Sequence, residues 1–219
     1  MIKENVQKIF KEIPEDALLV AAVKSRSIKE IKEAVDAGVK IIGENYLQET
    51  EKLFPYIGHI VKWHYIGSIQ KNKIKKIVEI FDMIETVDSV DVLRGIDRRA
   101  KGIGKIMPVL IEVNSGKEEQ KSGVYPEQAG QLIDAAAPFK NVLIQGLMTM
   151  GPFVNDPEKL RPYFKLTKEL FDCLKARETK NAQMKYLSMG MSDSYKIAIQ
   201  EGANIVRIGT LIFGPRHDR

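Results

Sequence analysis

Eight short apolar segments recur along the 219-residue chain, and polar residues, glycine or proline separate them. Their length and their content of Val, Ile and Leu are typical of buried parallel strands. We predict strands at residues 18–24, 41–45, 62–68, 83–87, 106–114, 142–150, 184–189 and 204–209.

Segments with helical periodicity separate these strands. Ser27 is a predicted N-cap with Glu30 three residues later, and Gly38 ends the helix that follows. Further helices are predicted near residues 3–13, 71–80, 89–100, 126–136, 157–176 and 193–201. The alternation fits an open doubly wound sheet or a closed barrel. Eight strands at short spacing favour a single (β/α)8 TIM barrel, an α/β fold, preceded by an extra N-terminal helix.

The composition is that of a globular protein, with 44% hydrophobic and 29% charged residues. We expect one domain over residues 1–219. No stretch has the length of a bilayer-spanning helix, and residues 1–5 lack the apolar core of a signal peptide, so we expect a cytoplasmic protein. The single cysteine, Cys173, falls in a helical segment, where we expect inert packing in the apolar stripe.

The formal net charge of +5 raises the question of a nucleic-acid partner. Basic residues mostly alternate with acidic ones, which is typical of solvated helix faces. The densest basic cluster, residues 71–76, has no interleaved aromatic side chains on which bases could stack. We therefore expect neither a nucleic-acid partner nor membrane association.

Lys24 follows the first apolar run, residues 18–23. The carboxyl ends of barrel strands carry the functional residues of this fold class. A lysine desolvated at such a position loses its proton easily, and the free amine can form a Schiff base with a carbonyl compound. The alternative is that the side chain merely extends into solvent.

Two glycine-containing loops follow the seventh and eighth predicted strands, at residues 189–193 and 209–210. Glycine permits close backbone approach, and Ser192 and Thr210 offer hydroxyl groups. Barrels often bind phosphate between these two loops. Ser192 or Asp193 could instead simply cap the next helix. The pairing of the loops favours a phosphate site.

Arg207 lies in an otherwise apolar strand, where a guanidinium needs an acceptor. The acceptor could be a carboxylate in an ion pair or the ring nitrogen of a heterocycle such as pyridoxal phosphate (PLP). In the second case the arginine disfavours ring protonation and makes the ring a weaker electron sink. His64 could be an acid–base group, although a hydrogen-bonded interior histidine is commoner. The three histidines, at 59, 64 and 217, and one cysteine show no zinc-type spacing, so we predict no metal site.

Several motifs occur in an order that resembles the pyridoxal phosphate homeostasis protein family, whose members have an alanine racemase-like N-terminal barrel. The motifs are Ala22–Ser25, Gly43–Tyr46, Trp63–Gly67, Lys121–Gly123, Gly146–Met150, Leu187–Asp193 and Val206–Thr210. They span nearly the whole chain. Several separate motifs in the same order are far more specific than any one of them.

The resemblance implies a fold-type III barrel that carries PLP on Lys24 as an internal aldimine. The other implied cofactor contacts are Asn45, Ser192, Arg207, Gly209 and Thr210. Asn45 is implied to line the cofactor and Arg207 to face the pyridine nitrogen. The remaining three are implied phosphate contacts.

The chain departs from the family pattern beside Lys24. The family often has a serine before this lysine and a second lysine two residues after it, where this chain has Val23 and Arg26. Arg26 keeps the positive charge, so the assignment of Lys24 is little affected.

Members of this family are thought to bind and deliver PLP without an established reaction. Alanine racemases add a β-rich domain that supplies a tyrosine base, and we expect no room for one after strand eight, because residues 214–219 end the chain. We predict a monomeric carrier that exchanges PLP with apo-enzymes and could also meet amino or keto acids. The alternative is a PLP-dependent amino-acid racemase or lyase of low activity, with Lys24 as its base.

Overall fold

The computed structural model describes residues 1–177 and 179–215, and its eight parallel strands close into a barrel in chain order. The strands are β1 (Leu18–Ala22), β2 (Ile41–Glu44), β3 (Lys62–Tyr65), β4 (Met83–Val87), β5 (Met107–Glu112), β6 (Val142–Met148), β7 (Ala182–Ser188) and β8 (Ile205–Ile208). All eight predicted strands are confirmed, with ends that differ by up to three residues. The fold is a (β/α)8 barrel, as predicted.

Helices alternate with these strands and cover the outside of the barrel. They are α1 (Ile2–Glu12), α2 (Ile28–Asp36), α3 (Leu47–Ile57), α4 (Ile74–Ile80), α5 (Val90–Gly102), α6 (Pro126–Ala135), α7 (Arg161–Lys175), α8 (Tyr195–Gln200) and α9 (Thr210–Phe213). The predicted capping box is confirmed, since the Ser27 hydroxyl accepts from the backbone N–H of Glu30 while the Glu30 carboxylate accepts from that of Ser27. The extra helix before β1 is also confirmed.

The sequence prediction missed α3. Its N-cap, Tyr46, makes no side-chain capping bond, and Pro55 lies inside the helix, so the usual start signal is absent and a helix breaker is present. Burial of Leu47, Leu53 and Ile57 against the barrel stabilises the helix despite these local signals.

The expected packing of Cys173 is wrong. The buried face of α7 includes Phe164, Phe171 and Leu174, whereas Cys173 is exposed. Because Cys173 directly precedes Leu174, it lies about 100° away around the helix and points off the apolar stripe.

Most strand residues are buried, as is usual for parallel barrel strands, with Lys62 of β3 and Gln183 and Lys185 of β7 as exposed exceptions. Every residue of β2, β4 and β8 is buried, including the charged Glu85 and Arg207. Within the described residues, none of the helices has both the length and the apolar character needed to cross a membrane. In this fold class the functional side chains lie on the loops at the carboxyl ends of the strands.

Candidate functional site

Lys24 lies in the loop after β1, two residues beyond the strand end, and is half-buried. Its Nζ donates to the Tyr46 hydroxyl at 3.1 Å and lies 4.6 Å from the centroid of that ring. The register of β1 with β2 pairs Ala22 with Gly43. Lys24 and Asn45 therefore follow the ends of neighbouring strands.

Glu44 fixes the turn that carries Asn45 and Tyr46. Its Oε1 accepts from the backbone N–H groups of Asn45 at 2.7 Å and Tyr46 at 3.1 Å, while Oε2 is buried without a hydrogen-bond partner. Burial raises the pKa of Glu44 to about 7, although the two backbone hydrogen bonds oppose the shift. Asn45 is half-buried, and its Nδ2 donates to the Ile66 carbonyl at 3.4 Å.

The loops after β7 and β8 meet directly, because the Ser192 hydroxyl accepts from the backbone N–H of Leu211 at 3.3 Å. Neither Ser192 nor Asp193 caps α8, whose N-cap is Ser194 without a side-chain capping bond. The simple capping alternative is therefore wrong for both residues.

The β8 loop also lies against the end of β1. A Cβ on Gly209 would stand 3.2 Å from the Ala22 carbonyl oxygen, which is tighter than most such contacts. Thr210 follows as the exposed first residue of α9. Lys24, Asn45, Ser192, Gly209 and Thr210 thus lie on the consecutive loops after β7, β8, β1 and β2.

Arg207 is buried inside the barrel and bonded by the protein itself. One guanidinium nitrogen, Nη1, donates to the Ser188 hydroxyl at 2.6 Å, and the other, Nη2, donates to the Thr149 carbonyl at 3.0 Å. Nη1 lies 4.0 Å from a carboxylate oxygen of Glu85. The ion-pair alternative is therefore present, and contact with a bound heterocycle stays a prediction.

His64 is an interior, hydrogen-bonded histidine, as the commoner of the two interpretations predicted. Its Nδ1 lies 2.6 Å from Oε1 of Glu85, whose Oε2 accepts from the Ser188 hydroxyl at 2.6 Å. Burial works against the charge of Glu85, but the hydrogen bonds from His64 and Ser188 and the charge of Arg207 outweigh it. The pKa of Glu85 therefore lies below its ordinary value.

Sequence reasoning missed Glu85, Tyr46 and Glu112. Glu85 is a carboxylate inside an apolar strand, the same signal that identified Arg207, and could have been found. Tyr46 belongs to a recognised motif, but only the fold brings its hydroxyl to Lys24. Glu112 is buried at the edge of a cavity of about 230 Å³, and burial, together with the charge of Asp88, raises its pKa to about 7.

A second cleft, of about 450 Å³, is lined in part by Asn45, Tyr46 and Lys73, and its Tyr46 is the residue whose hydroxyl accepts from Lys24. Among the described residues, no three His, Cys, Asp or Glu side chains converge as a metal ion would require. His217, which the metal prediction also considered, lies outside those residues.

Fold and site together define a (β/α)8 barrel with a lysine after its first strand and a two-loop site beside it. The alanine racemase N-terminal domain family matches residues 1–217. The pyridoxal phosphate homeostasis protein of Aquifex aeolicus is 41% identical over 201 residues, which are 91% of this chain and 87% of that protein. The protein of the same name from Pasteurella multocida is 34% identical over 98% of this chain and 94% of that one.

Solved structures of related proteins show the same barrel fold. PipY of Synechococcus elongatus with PLP bound superposes with a TM-score of 0.89 at 28% identity, over 98% of this chain and all of that one (100%). An alanine racemase of Clostridium difficile gives a TM-score of 0.77 at 16% identity over 99% of this chain and 57% of the racemase, a likeness of fold alone. The chain belongs to the alanine racemase N-terminal domain family and, within it, to the pyridoxal phosphate homeostasis proteins.

Proposed function

We propose that this protein binds PLP covalently through Lys24 and passes it on to other proteins, without turnover of its own. The observation that carries the proposal is the contiguity of the lysine with the two paired loops. The β1–β8 pairing puts the Gly209–Thr210 loop beside the end of β1. The hydrogen bond from the Leu211 N–H to the Ser192 hydroxyl joins the β7 loop to it. The Lys24 amine and the two loops proposed to hold phosphate thus follow the ends of neighbouring strands.

The residues of this site fit the chemistry of PLP. The cofactor supplies an aldehyde that condenses with a primary amine, with loss of water, and a phosphate that needs hydrogen-bond donors. Lys24 would provide the amine and Tyr46 would orient it, while Asn45, in the neighbouring loop, would line the cofactor. The Ser192 and Thr210 hydroxyls and the backbone beside Gly209 would hold the phosphate.

Arg207 would face the pyridine nitrogen with a permanent positive charge. Its bonds to Ser188 and Thr149 fix the guanidinium in the barrel interior. A fixed cation there would oppose protonation of the ring nitrogen and so limit the cofactor as an electron sink. This suits retention of PLP better than chemistry that needs a strongly stabilised carbanion.

The names of the relatives, pyridoxal phosphate homeostasis protein, and the PLP in PipY support the carrier role. We further propose that the carrier acts in the cytoplasm as a monomer and that PLP-dependent apo-enzymes are its recipients. Light scattering of the holoprotein should then give one 24.8 kDa chain.

A racemase or lyase of low activity is the second candidate. It is favoured by the Tyr46 hydroxyl, an acid–base group 3.1 Å from the Lys24 amine. Turnover of L- or D-amino acids by the holoprotein at enzymatic rates, lost in Tyr46→Phe, would support this candidate over the carrier.

The decisive experiment has two parts. PLP added to the protein should give a visible absorbance band that Lys24→Ala abolishes and the exposed-lysine control Lys75→Ala keeps. The holoprotein should then activate a PLP-dependent apo-enzyme while a phosphatase destroys free PLP. A protein that takes up no PLP would contradict the whole proposal. If the phosphatase stops the transfer, the protein only releases free PLP into solution and does not deliver it directly.

A further inference from the structure

Arg26 is a charged residue that the proposed function does not use, yet only 7% of its surface is exposed. Its guanidinium donates to three consecutive backbone carbonyls near the end of the described chain. These belong to Phe213 at 3.3 Å, Gly214 at 2.5 Å and Pro215 at 3.2 Å. Arginine is suited to this because it presents several donors in one rigid plane.

The segment that Arg26 holds is continuous with the β8 loop. Phe213 is the last residue of α9, and α9 begins at Thr210, directly after Gly209. Asn5 of α1 holds the same helix from another side, since its Nδ2 donates to the Ile212 carbonyl at 3.0 Å. A displacement of this segment would therefore move the loop proposed to hold phosphate.

The backbone of Arg26 belongs to the same turn as Lys24, two residues earlier. Between them lies Ser25, which has φ 60, a left-handed conformation that non-glycine residues rarely adopt. The backbone N–H of Ser25 donates to Oε2 of Glu49 at 2.7 Å. Glu30 adds a partner for Arg26 at 3.4 Å. The bonds from Ser25 and Arg26 thus fix the part of the turn that directly follows Lys24.

We propose that Arg26 is a positioning residue that joins the turn of Lys24 to the segment after the β8 loop, and so sets the separation between the amine and the phosphate donors. This rests on the proposed PLP site. The aldehyde and phosphate of PLP are substituents of one rigid ring, so both protein groups have to be correctly spaced for the cofactor to engage them together. A residue that only anchored the chain terminus would not affect that spacing.

The test compares PLP with pyridoxal, which has the aldehyde but no phosphate. Titrations followed by visible absorbance give the ratio of the two affinities for the wild-type protein, Arg26→Lys and Gly214→Ala. Lysine keeps the charge but replaces the rigid fork with a single ammonium. Gly214→Ala changes the acceptor segment instead, because its φ of 82 disfavours a side chain although no atom lies within 4 Å of the added Cβ. Arg99→Lys, at an exposed position of α5, is the control.

We expect both variants to lower the preference for PLP over pyridoxal by about tenfold, with pyridoxal affinity nearly unchanged, because only the two-point fit is lost. Arg99→Lys should keep the wild-type ratio. Equal loss for both ligands, or an unchanged ratio in folded Arg26→Lys, would make Arg26 a structural anchor and overturn the inference. Wild-type protein without PLP uptake would overturn the proposed function first, and this inference with it.

Discussion

Glu85 lies between His64 and Arg207 as their shared carboxylate. One oxygen is 2.6 Å from Nδ1 of His64, and the other is 4.0 Å from Nη1 of Arg207. None of these residues is more than 5% exposed. In such surroundings a charge without a partner is costly, so Glu85 keeps Arg207 stable in the barrel interior.

We expect Glu85→Gln to destabilise the protein by about 3 kcal/mol, because it leaves the buried Arg207 guanidinium without its carboxylate. Urea unfolding of the apo-protein near neutral pH measures this change. The amide keeps nearly the size of the carboxylate, so a cavity would not explain the loss.

A double-mutant cycle with Arg207→Met checks the origin of that effect. If the two residues form a pair, the double variant should lose at least about 1 kcal/mol less than the sum of the single variants. Additive losses would show that Glu85 and Arg207 act independently.

Ser192→Ala should weaken PLP binding by about tenfold while sparing pyridoxal, since it removes one hydroxyl and the bond that joins the two loops. Absorbance titration of both ligands measures the effect. Ser89→Ala, which removes the N-cap of α5, is a control that should affect stability but not the ratio. Equal affinities for Ser192→Ala and the wild type would exclude Ser192 from the phosphate site.

Stability should fall as the pH rises from about 5 to about 8. The pKa values of Glu44 and Glu112 are raised from 4.5 to about 7, so the folded state binds more protons than the unfolded state between these values. Their contribution is fully present below 4.5 and is lost as the pH rises through about 7. Glu85 acts in the opposite direction, because its lowered pKa gives stability that is lost in acid.

Glu44→Gln and Glu112→Gln should each reduce the loss of stability between about pH 5 and about pH 8 by on the order of 2 kcal/mol, since neither amide can ionise. The measurement is urea unfolding at both pH values. Glu79→Gln, at an exposed position of α4, should leave the slope unchanged. A wild-type profile that is flat or rises over this interval would contradict the assignment.

The strands could be predicted because parallel barrel strands are mostly apolar along their length, so each is visible as an apolar run in the sequence. The loop order then followed from the fold class, which placed Lys24 near the β8 loop. Contacts of high sequence separation could not be predicted this way. Arg26 and Phe213 are 187 positions apart, and no local pattern signals that a guanidinium at one reaches the carbonyl of the other. Likewise, α3 forms because tertiary burial overrides weak local signals.

Gly67→Ala should disrupt the site through the backbone. A Cβ at Gly67 would stand 2.1 Å from the carbonyl oxygen of Asn45. The two loops that carry these residues follow the paired strands β3 and β2, so their backbones cannot move apart freely. We expect a loss of about 2 kcal/mol of stability from this overpacking and weaker binding of both PLP and pyridoxal, because the turn of Asn45 and Tyr46 shifts away from Lys24. Gly102→Ala, at the end of α5 with no atom within 4 Å of the new Cβ, should be neutral or up to about 1 kcal/mol more stable. Unfolding curves and the two titrations measured on both variants decide the matter: if Gly67→Ala behaves like Gly102→Ala, the close approach of the β2 and β3 loops does not shape the site.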